Sequence, residues 1–524
     1  MRLSALIRTI AIAIPLSFAL PQLAKAQQPR PDLVVFIAVD QLRGDYLDRF
    51  APQLTGGLAR LKNQGAHFTN AFQDHAVTVT AVGHASMLSG RFPRGHGIIS
   101  NTLGVPDPQA RLIGGASGAS PFRFRGSVLI DWMRVADPLS RALSVSAKDR
   151  GAILPIGRAQ QPAFWYSNTG AFTTSNYYAD TLPDWVKRFN AQKVAEKYVG
   201  RIWRPLRNAA AYSEPDSSKG QPSVFPHTLS SNPAEAVKQL YDFPWIDEIT
   251  LRLALTGLDE LKLGKNGHRD LLAVSLSGTD VIGHTYGPDS RELHDQILRL
   301  DIALGEFLDS LYARFPADKI VVALTSDHGV TSFPETMARD SAGAARLRVS
   351  LAPVLADMRA ELAKRNYAAN SITTEGGLVL FGHDLFRNQA LRDTIATMFA
   401  ERARRIPGVE RVDFQRDLAK GDTINDPMLR RWLHALPPDV PVPVVVTLKD
   451  MHIFGNTRSA THGSPRDRDA HVPIIFMGPQ FKPGRYTEFA RTVDIAPTLA
   501  WVVGVAPTEP IDGKVLRSVL KEAW

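Results

Sequence analysis

Cysteine is absent from the 524 residues of the chain. Its absence excludes disulfide scaffolds, thiolate zinc fingers, iron–sulfur clusters and thiol nucleophiles. A bound metal must therefore be held by histidine, aspartate, glutamate or a hydroxyl group, and a covalent nucleophile must be another residue type. The sequence also has no internal repeat, no low-complexity tract and no lysine and arginine run of the kind that binds nucleic acid.

After the N-terminal region, no stretch of the sequence is long and apolar enough to span a bilayer. The most apolar stretch lies at the N-terminus itself. There, residues 9–23 form an apolar stretch that follows two arginines and precedes a small-x-small sequence ending at Ala26. This stretch is too short to span a bilayer comfortably, although an uncleaved anchor is the alternative. We expect residues 1–26 to be a signal peptide cleaved near Ala26. Residues 27–524 are then a periplasmic or secreted protein without a transmembrane segment, for which a monomer is favoured.

The net charge is modest. The chain has 61 basic and 52 acidic residues, a formal charge of +9. Removing the three basic residues of the signal peptide leaves 58 against 52, or +6. Such a balance suits a small anionic substrate and gives no reason to expect a nucleic-acid partner.

Four apolar, β-branched runs predict the core. They cover residues 33–40, 271–280, 320–329 and 472–479, and three of them have an aspartate at or near their end. Continuous apolar runs of this length are typical of strands buried on both faces, as in a parallel sheet covered by helices. In open α/β sheets, ligands bind at the carboxyl ends of the strands. The three aspartates are therefore where such a fold builds its site.

Helical patterns alternate with these runs. Apolar residues recur at three- and four-residue spacing over 291–315 and 390–406, which predicts helices. The alternation favours an α/β fold with a doubly wound, mostly parallel central sheet, helices on both faces and inserted cap segments. We expect one α/β domain over 27–524, with insertions over the core at about 104–268 and 335–460.

Metal-type residues follow the predicted strands. Six side chains with nitrogen and oxygen donors lie at or near strand ends, and together they suit two metal ions. These are Asp40, Asp280, His284, Asp327, His328 and His462. The Asp-x-x-x-His pair alone is weak, since it is commonly an ordinary polar pair at a helix start, and Asp-His-Gly at a strand end is somewhat better. Their joint placement is what predicts a metal site.

Two further segments suit an anion. The stretch 78–101 predicts a helix with Thr80 near its N-terminus, where backbone N–H groups favour phosphate or sulfate. A metal-bound threonine or serine alkoxide is a reasonable nucleophile, but spacing does not choose between Thr78, Thr80 and Ser86. Lys148 and Arg150 alternate, so on an extended segment both point to one side, although a lone pair of this kind is commonly a solvated basic edge.

As a set, the segments resemble the alkaline phosphatase superfamily. More narrowly, they are similar to the phosphate-irrepressible alkaline phosphatases, which are periplasmic zinc monoesterases with a threonine nucleophile. The matching segments occur in the family's order from about residue 33 to 512. They are VVFIAVDQLRGDYLDRF, TVTAVGHASMLSGRFPRGHGIISN, SAKDRGAILPIG, SGTDVIGHTYGP, TSDHGV, THGSPRDRDAHVPIIFMGP and TVDIAPTLAWVVGV.

The resemblance implies a role for each site residue. Thr80 matches the nucleophile, and Asn101, Lys148 and Arg150 match the groups that bind the phosphoryl oxygens. It implies two Zn²⁺ per chain. Asp280, His284 and His462 would hold one, and Asp40, Asp327 and His328 would hold the other together with the Thr80 oxygen.

The implied function is hydrolysis of small phosphate monoesters through a phosphothreonine intermediate. A phosphodiesterase of the same superfamily is the alternative, but Lys148 with Arg150 matches the extra charge of a monoester dianion. A sulfatase of the common type requires Cys or Ser in a C/S-x-P-x-R context, which is missing at Thr80. A non-catalytic phosphate- or metal-binding protein of the same fold would lack Thr80 or a metal ligand, and none is missing.

Overall fold

The computed structural model describes residues 30–115, 117–214, 225–336, 347–455 and 459–522. The signal peptide predicted at residues 1–26 lies outside these ranges. Two larger sheets organise the described chain, one with nine strands and one with four. In chain order their strands are β1 Leu33–Val39, β2 Ala66–Phe68, β3 Ala142–Ser146, β4 Ala163–Tyr166, β5 Phe172–Thr173, β6 Asp270–Leu276, β7 Ile320–Thr325, β8 Ile372–Glu375, β9 Leu378–Phe381, β10 Val409–Phe414, β11 Val444–Leu448, β12 Ile474–Met477 and β13 Gly484–Tyr486.

The nine-stranded sheet is mostly parallel. Its order is β13-β2-β12-β7-β1-β6-β3-β4-β5. β1 lies in the middle and pairs in parallel with both β6 and β7, and β6 pairs in parallel with β3. β12 runs antiparallel to β7 and to β2, and β5 runs antiparallel to β4. The predicted fold class is confirmed.

Both faces of this sheet are covered. Alternate residues of β1 belong to different apolar clusters, because successive side chains of a strand point to opposite faces. Phe36 lies in one cluster and Ile37 in the other, and both are fully buried. The helices of eight or more residues, with one short helix at the site, are α1 Gly57–Gln64, α2 Thr80–Met87, α3 Leu129–Ala136, α4 Asp149–Ile153, α5 Asp184–Ala191, α6 Trp245–Glu260, α7 Gly278–Tyr286, α8 Arg291–Arg314, α9 Ala352–Ala363, α10 Gln389–Ala403, α11 Pro427–Ala435 and α12 Ile495–Val503.

The two predicted insertions differ in structure. Within 104–268, β3, β4 and β5 are strands of the central sheet and α6 packs against it, so this stretch builds the core as well as covering it. Its proline, glycine and aromatic content hid the short apolar strand 142–146. Within 335–460, β8 to β11 form a separate four-stranded sheet that packs with α9 and α10 around its own apolar cluster. No helix in the described ranges is long and apolar enough to cross a membrane.

Candidate active site

Six potential metal ligands meet at one edge of the central sheet. Asp40 follows β1, Asp327 lies two residues after β7, and Asp280 lies in the first turn of α7, which follows β6. These three strands are parallel neighbours, so their carboxyl ends share an edge. His462 precedes β12, and because β12 runs antiparallel, its start lies at the same edge. The apolar run 472–479 could not show this direction, since a buried strand has the same composition either way.

Asp280, His284 and His462 form the first group. His284 Nε2 lies 3.3 Å from Asp280 Oδ1 and 3.1 Å from His462 Nε2. His462 Nε2 lies 3.5 Å from the same Asp280 oxygen. The structure thus brings together the three residues predicted for one metal.

Asp40, Asp327 and His328 form the second group, and all three are fully buried. His328 Nε2 lies 3.3 Å from Asp40 Oδ1 and 3.5 Å from Asp327 Oδ2. The ligand atoms of this group lie within 4.8 Å of one another, and a ligand atom of His328 also lies within 4.8 Å of those of Asp280 and His462. The rings of His328 and His462 stack with centroids 3.5 Å apart, so the two groups adjoin.

The three histidines share one tautomer. Each Nδ1 donates to a backbone carbonyl, at 2.7 Å for His284 to Ala460, 2.7 Å for His462 to Thr78 and 2.9 Å for His328 to Gly329. When Nδ1 carries the proton of a neutral imidazole, Nε2 is left with its lone pair. All three Nε2 atoms are then available as metal ligands, and those of His284 and His462 face each other.

Unpartnered atoms indicate that cations fit here. Among the described residues, Asp40 Oδ1, Asp327 Oδ2 and His328 Nε2 are buried without a hydrogen-bond partner. Burial raises the pKa of Asp40, and the charges of Asp280 and Asp327 raise it further. Buried carboxylates and imidazoles that lack partners are costly unless a cation or proton occupies the space between them. This donor set suits divalent metals of the zinc type.

Thr80 is the first residue of α2, and Val79 before it is extended. Gly83 lets this helix lie directly on the end of β7, because a Cβ there would be 2.2 Å from the Asp327 carbonyl oxygen. The other two candidate hydroxyls are already committed. Thr78 donates to Ser464 O at 2.9 Å, and Ser86 donates to Val82 O at 2.9 Å. In the described structure, no side-chain hydrogen bond is formed by the Thr80 hydroxyl, which supports it as the nucleophile.

The predicted phosphoryl-binding groups lie around Thr80 and the carboxylates. Asn101 Oδ1 accepts the Ala81 N–H at 2.9 Å, which leaves Nδ2 as the group that can donate to an anion. Lys148 is buried, and its Nζ contacts Asp40 Oδ2 and Asp280 Oδ2, each at 2.5 Å. It therefore bridges one carboxylate of each group.

Arg150 lies in a different conformation from the one expected. Lys148 is extended, but Arg150 is in the first turn of α4, so the two do not alternate along one extended segment. The Asp149 carboxylate accepts the Arg150 N–H at 2.7 Å and favours a helix start, which the alternation of basic residues did not indicate. Burial lowers the pKa of Arg150, but Tyr241, Asp149, Asp40 and Asp280 raise it above its usual value. Arg150 thus lies within electrostatic reach of Asp40 and Asp280, one carboxylate of each group.

Sequence reasoning assigned no role to three other residues at the site. His84 Nδ1 lies 2.9 Å from Thr80 O and 3.1 Å from Asp327 Oδ2. Gln41 donates to a carboxylate of each group. Burial raises the pKa of Tyr241 to about 12, against the lowering effect of Lys148 and Arg150. His84 and Gln41 lie inside quoted motifs, but Tyr241 carries no motif signal.

A cavity of about 530 Å³ adjoins the site between the two sheets. Its lining includes His462 of the first group and Val79 next to Thr80. The turn Glu375–Gly377 of the four-stranded sheet lines its other side. Thr102, which follows Asn101, donates a hydrogen bond to Glu375, so the smaller sheet is tied to the edge of the site.

The fold and the site together define an α/β protein with adjoining cation-ligand groups beside a helix N-terminus. The chain belongs to the type I phosphodiesterase/nucleotide pyrophosphatase family, whose model matches residues 34–347. This family lies in the alkaline phosphatase superfamily, and the predicted superfamily is confirmed.

Named relatives match over nearly the whole chain. It is 31% identical over 535 residues to alkaline phosphatase PhoV of Synechococcus elongatus, covering 94% of this chain and 93% of the relative. It is 30% identical over 523 residues to alkaline phosphatase PafA of Elizabethkingia meningoseptica, covering 94% and 95%. The crystal structure of wild-type alkaline phosphatase PafA superposes with a TM-score of 0.86 at 28% identity, covering 94% of this chain and 99% of that one.

Proposed function

We propose that the protein hydrolyses phosphate monoesters through a phosphothreonine intermediate on Thr80 at a site for two Zn²⁺. Relatives named alkaline phosphatases support phosphatase activity. The observation that carries the proposal is the arrangement of Asp40, Asp327 and His328 beside Asp280, His284 and His462. In the second group, Asp40 Oδ1, Asp327 Oδ2 and His328 Nε2 are buried without a partner among the described residues. The helix that begins at Thr80 contacts Asp327 through His84, and the Thr80 hydroxyl is itself uncommitted.

The two groups would hold one cation each, and these would supply Lewis acidity at the attacking and leaving oxygens. Thr80 Oγ1 gives up its proton and attacks phosphorus in line, so that a P–O bond forms while the bond to the ester oxygen breaks. The ester oxygen gains a proton and leaves as the alcohol. Asn101, Lys148 and Arg150 bind the non-bridging oxygens, whose charge must be matched in a loose transition state. Water then attacks phosphothreonine, gives a proton to Thr80 Oγ1 and releases phosphate.

Thr80→Ala tests the nucleophile. We expect kcat/KM for an aryl phosphate monoester to fall at least about a thousandfold, because no other hydroxyl in α2 is placed to attack. Thr80→Ser retains an attacking oxygen and should retain measurable turnover. The wild type should lose activity in EDTA and regain it with zinc, and acid quenching should trap phosphate on Thr80.

Ser86→Ala is the matched control, since it removes a hydroxyl from the same helix that is bonded to Val82 O. It should keep wild-type activity and metal content. Full activity in Thr80→Ala would contradict the proposal.

A phosphodiesterase is the second candidate, favoured by the description of the matching family. Lys148→Ala distinguishes the two, because Lys148 contributes a positive charge that a monoester dianion needs more than a diester does. We expect monoester kcat/KM to fall about 10 to 100 times more than diester kcat/KM. Faster diester turnover in the wild type, unaffected by Lys148→Ala, would support the diesterase.

A further inference from the structure

Gln41 holds an unfavourable backbone conformation in the middle of the site. It follows Asp40, is fully buried and has φ of 65°, in the left-handed region. This region is costly for a residue with a Cβ, and such residues persist where the surrounding structure requires them, often at functional sites. We therefore expect the contacts of Gln41 to compensate for the cost of this conformation.

Those contacts reach both ligand groups. The Gln41 backbone N–H donates to Asp327 Oδ1 at 3.1 Å. Its side-chain Nε2 donates to Asp280 Oδ1 at 2.6 Å. Asp327 belongs to the second group and Asp280 to the first, so one residue holds a carboxylate of each.

Helix α7 is shaped to receive this side chain. Gly283 faces it, and a Cβ at that position would lie 1.9 Å from Gln41 Oε1. Gln41 Oε1 is itself buried without a hydrogen-bond partner among the described residues. An amide oxygen left without a partner costs stability, so packing alone does not account for a glutamine here. What the side chain provides is the contact of Nε2 with Asp280.

We propose that Gln41 is a positioning residue that orients the Asp280 carboxylate as a ligand of the first group. The inference rests on the proposed function, since it assumes that the groups bind cations. Residues that hydrogen-bond to metal ligands fix their orientation, and replacing them lowers metal affinity by about 10- to 100-fold.

Gln41→Gly distinguishes the effect of the side-chain contact with Asp280 from the effect of the strained backbone. Glycine adopts a φ of 65° without penalty but lacks the side-chain amide that contacts Asp280. The stability of the metal-free protein and its zinc affinity should therefore respond differently. The melting temperature of the metal-free protein should stay the same or rise. Zinc affinity, measured by competition with a chelating dye, should fall about 10- to 100-fold at one of the two sites and stay unchanged at the other.

Two variants make the result specific. Gln41→Asn tolerates the left-handed region but is one methylene too short to reach Asp280, so it should lose the same affinity if Gln41→Gly does not fold. Lys262→Gly relieves the same kind of strain at an exposed turn with φ of 51°, and it should leave zinc affinity unchanged.

The outcomes are separable from those of the proposed function. Zinc stoichiometry and ester hydrolysis of the wild type are measured first. If the wild type binds no zinc, the proposed function fails and the inference fails with it. If the wild type binds zinc and hydrolyses monoesters, but both Gln41 variants bind zinc like the wild type, only the inference is overturned. An equal loss in Lys262→Gly would also overturn it.

Discussion

His84 lies between the proposed nucleophile and a proposed metal ligand. It lies one turn after Thr80 in α2 and is fully buried. Its Nδ1 donates to Thr80 O at 2.9 Å and lies 3.1 Å from Asp327 Oδ2, while its Nε2 lies 2.8 Å from Ser275 Oγ. The Nδ1 contacts are the ones that reach the site.

Replacing His84 by Asn and by Gln distinguishes the roles of its two ring nitrogens. The Asn amide occupies the place of Nδ1, whereas the Gln amide reaches toward Nε2. We expect His84→Asn to stay within about tenfold of wild-type kcat/KM and His84→Gln to lose about 10- to 100-fold, since the polar group that faces Asp327 Oδ2 is then displaced. Zinc-saturated kinetics with matched melting temperatures measure this. Greater loss in His84→Asn would show that Ser275 is the important partner.

At the scale of elements, the helix α7, which carries Asp280 and His284, is capped at its N-terminus by a buried carboxylate of another helix. Ser277 provides no side-chain cap for this helix. Asp247 of α6 provides the cap instead. Its carboxylate accepts hydrogen bonds from the Gly278 N–H at 3.0 Å and from the Gln296 side-chain amide at 2.9 Å. Its negative charge also suits the positive end of the helix dipole. The start of α7, and with it the place of Asp280, is therefore set by a residue 31 positions earlier in the chain.

Elements were predictable from the sequence where the local pattern determines them. The apolar runs predicted β1, β6, β7 and β12, and the spacing predicted the helix Arg291–Arg314. The direction of β12 and the cap from Asp247 depend on partners distant in sequence, which no local pattern encodes. The helical place of Arg150 is favoured by its neighbour Asp149, which the alternation of basic residues did not indicate. The six metal-type residues were predictable as a group because they lie at or near the ends of apolar runs, whereas their roles came from the resemblance. Gln41 also follows such a run, but a glutamine does not by itself indicate metal or catalytic chemistry, and Tyr241 lies outside every quoted motif.

At the scale of the whole molecule, stability rests on burial without any disulfide. Apolar clusters cover both faces of the central sheet. Several histidines away from the metal groups are buried inside this structure as neutral rings. Burial lowers the pKa of His67 to about 4 and that of His75 to about 3, and it also lowers the pKa of His96. Ile98 N–H donates to His96 Nδ1 at 3.2 Å, so protonation there would break a hydrogen bond.

These buried rings should make the folded protein sensitive to acid. Below the unfolded histidine pKa of about 6.5, the unfolded chain binds protons that the folded chain does not, so stability falls as the pH falls. Each such histidine contributes up to about 1.4 kcal/mol per pH unit. Urea unfolding in EDTA between pH 7.5 and 5 measures the slope. His96→Asn keeps an acceptor for the Ile98 N–H, and it should lower the slope of the unfolding free energy against pH by the amount that one proton contributes, about 1.4 kcal/mol per pH unit. His383→Asn, at an exposed position, should leave this slope unchanged. A slope that His96→Asn does not alter would mean that His96 protonates without unfolding, because the ring then finds water or a partner inside the fold.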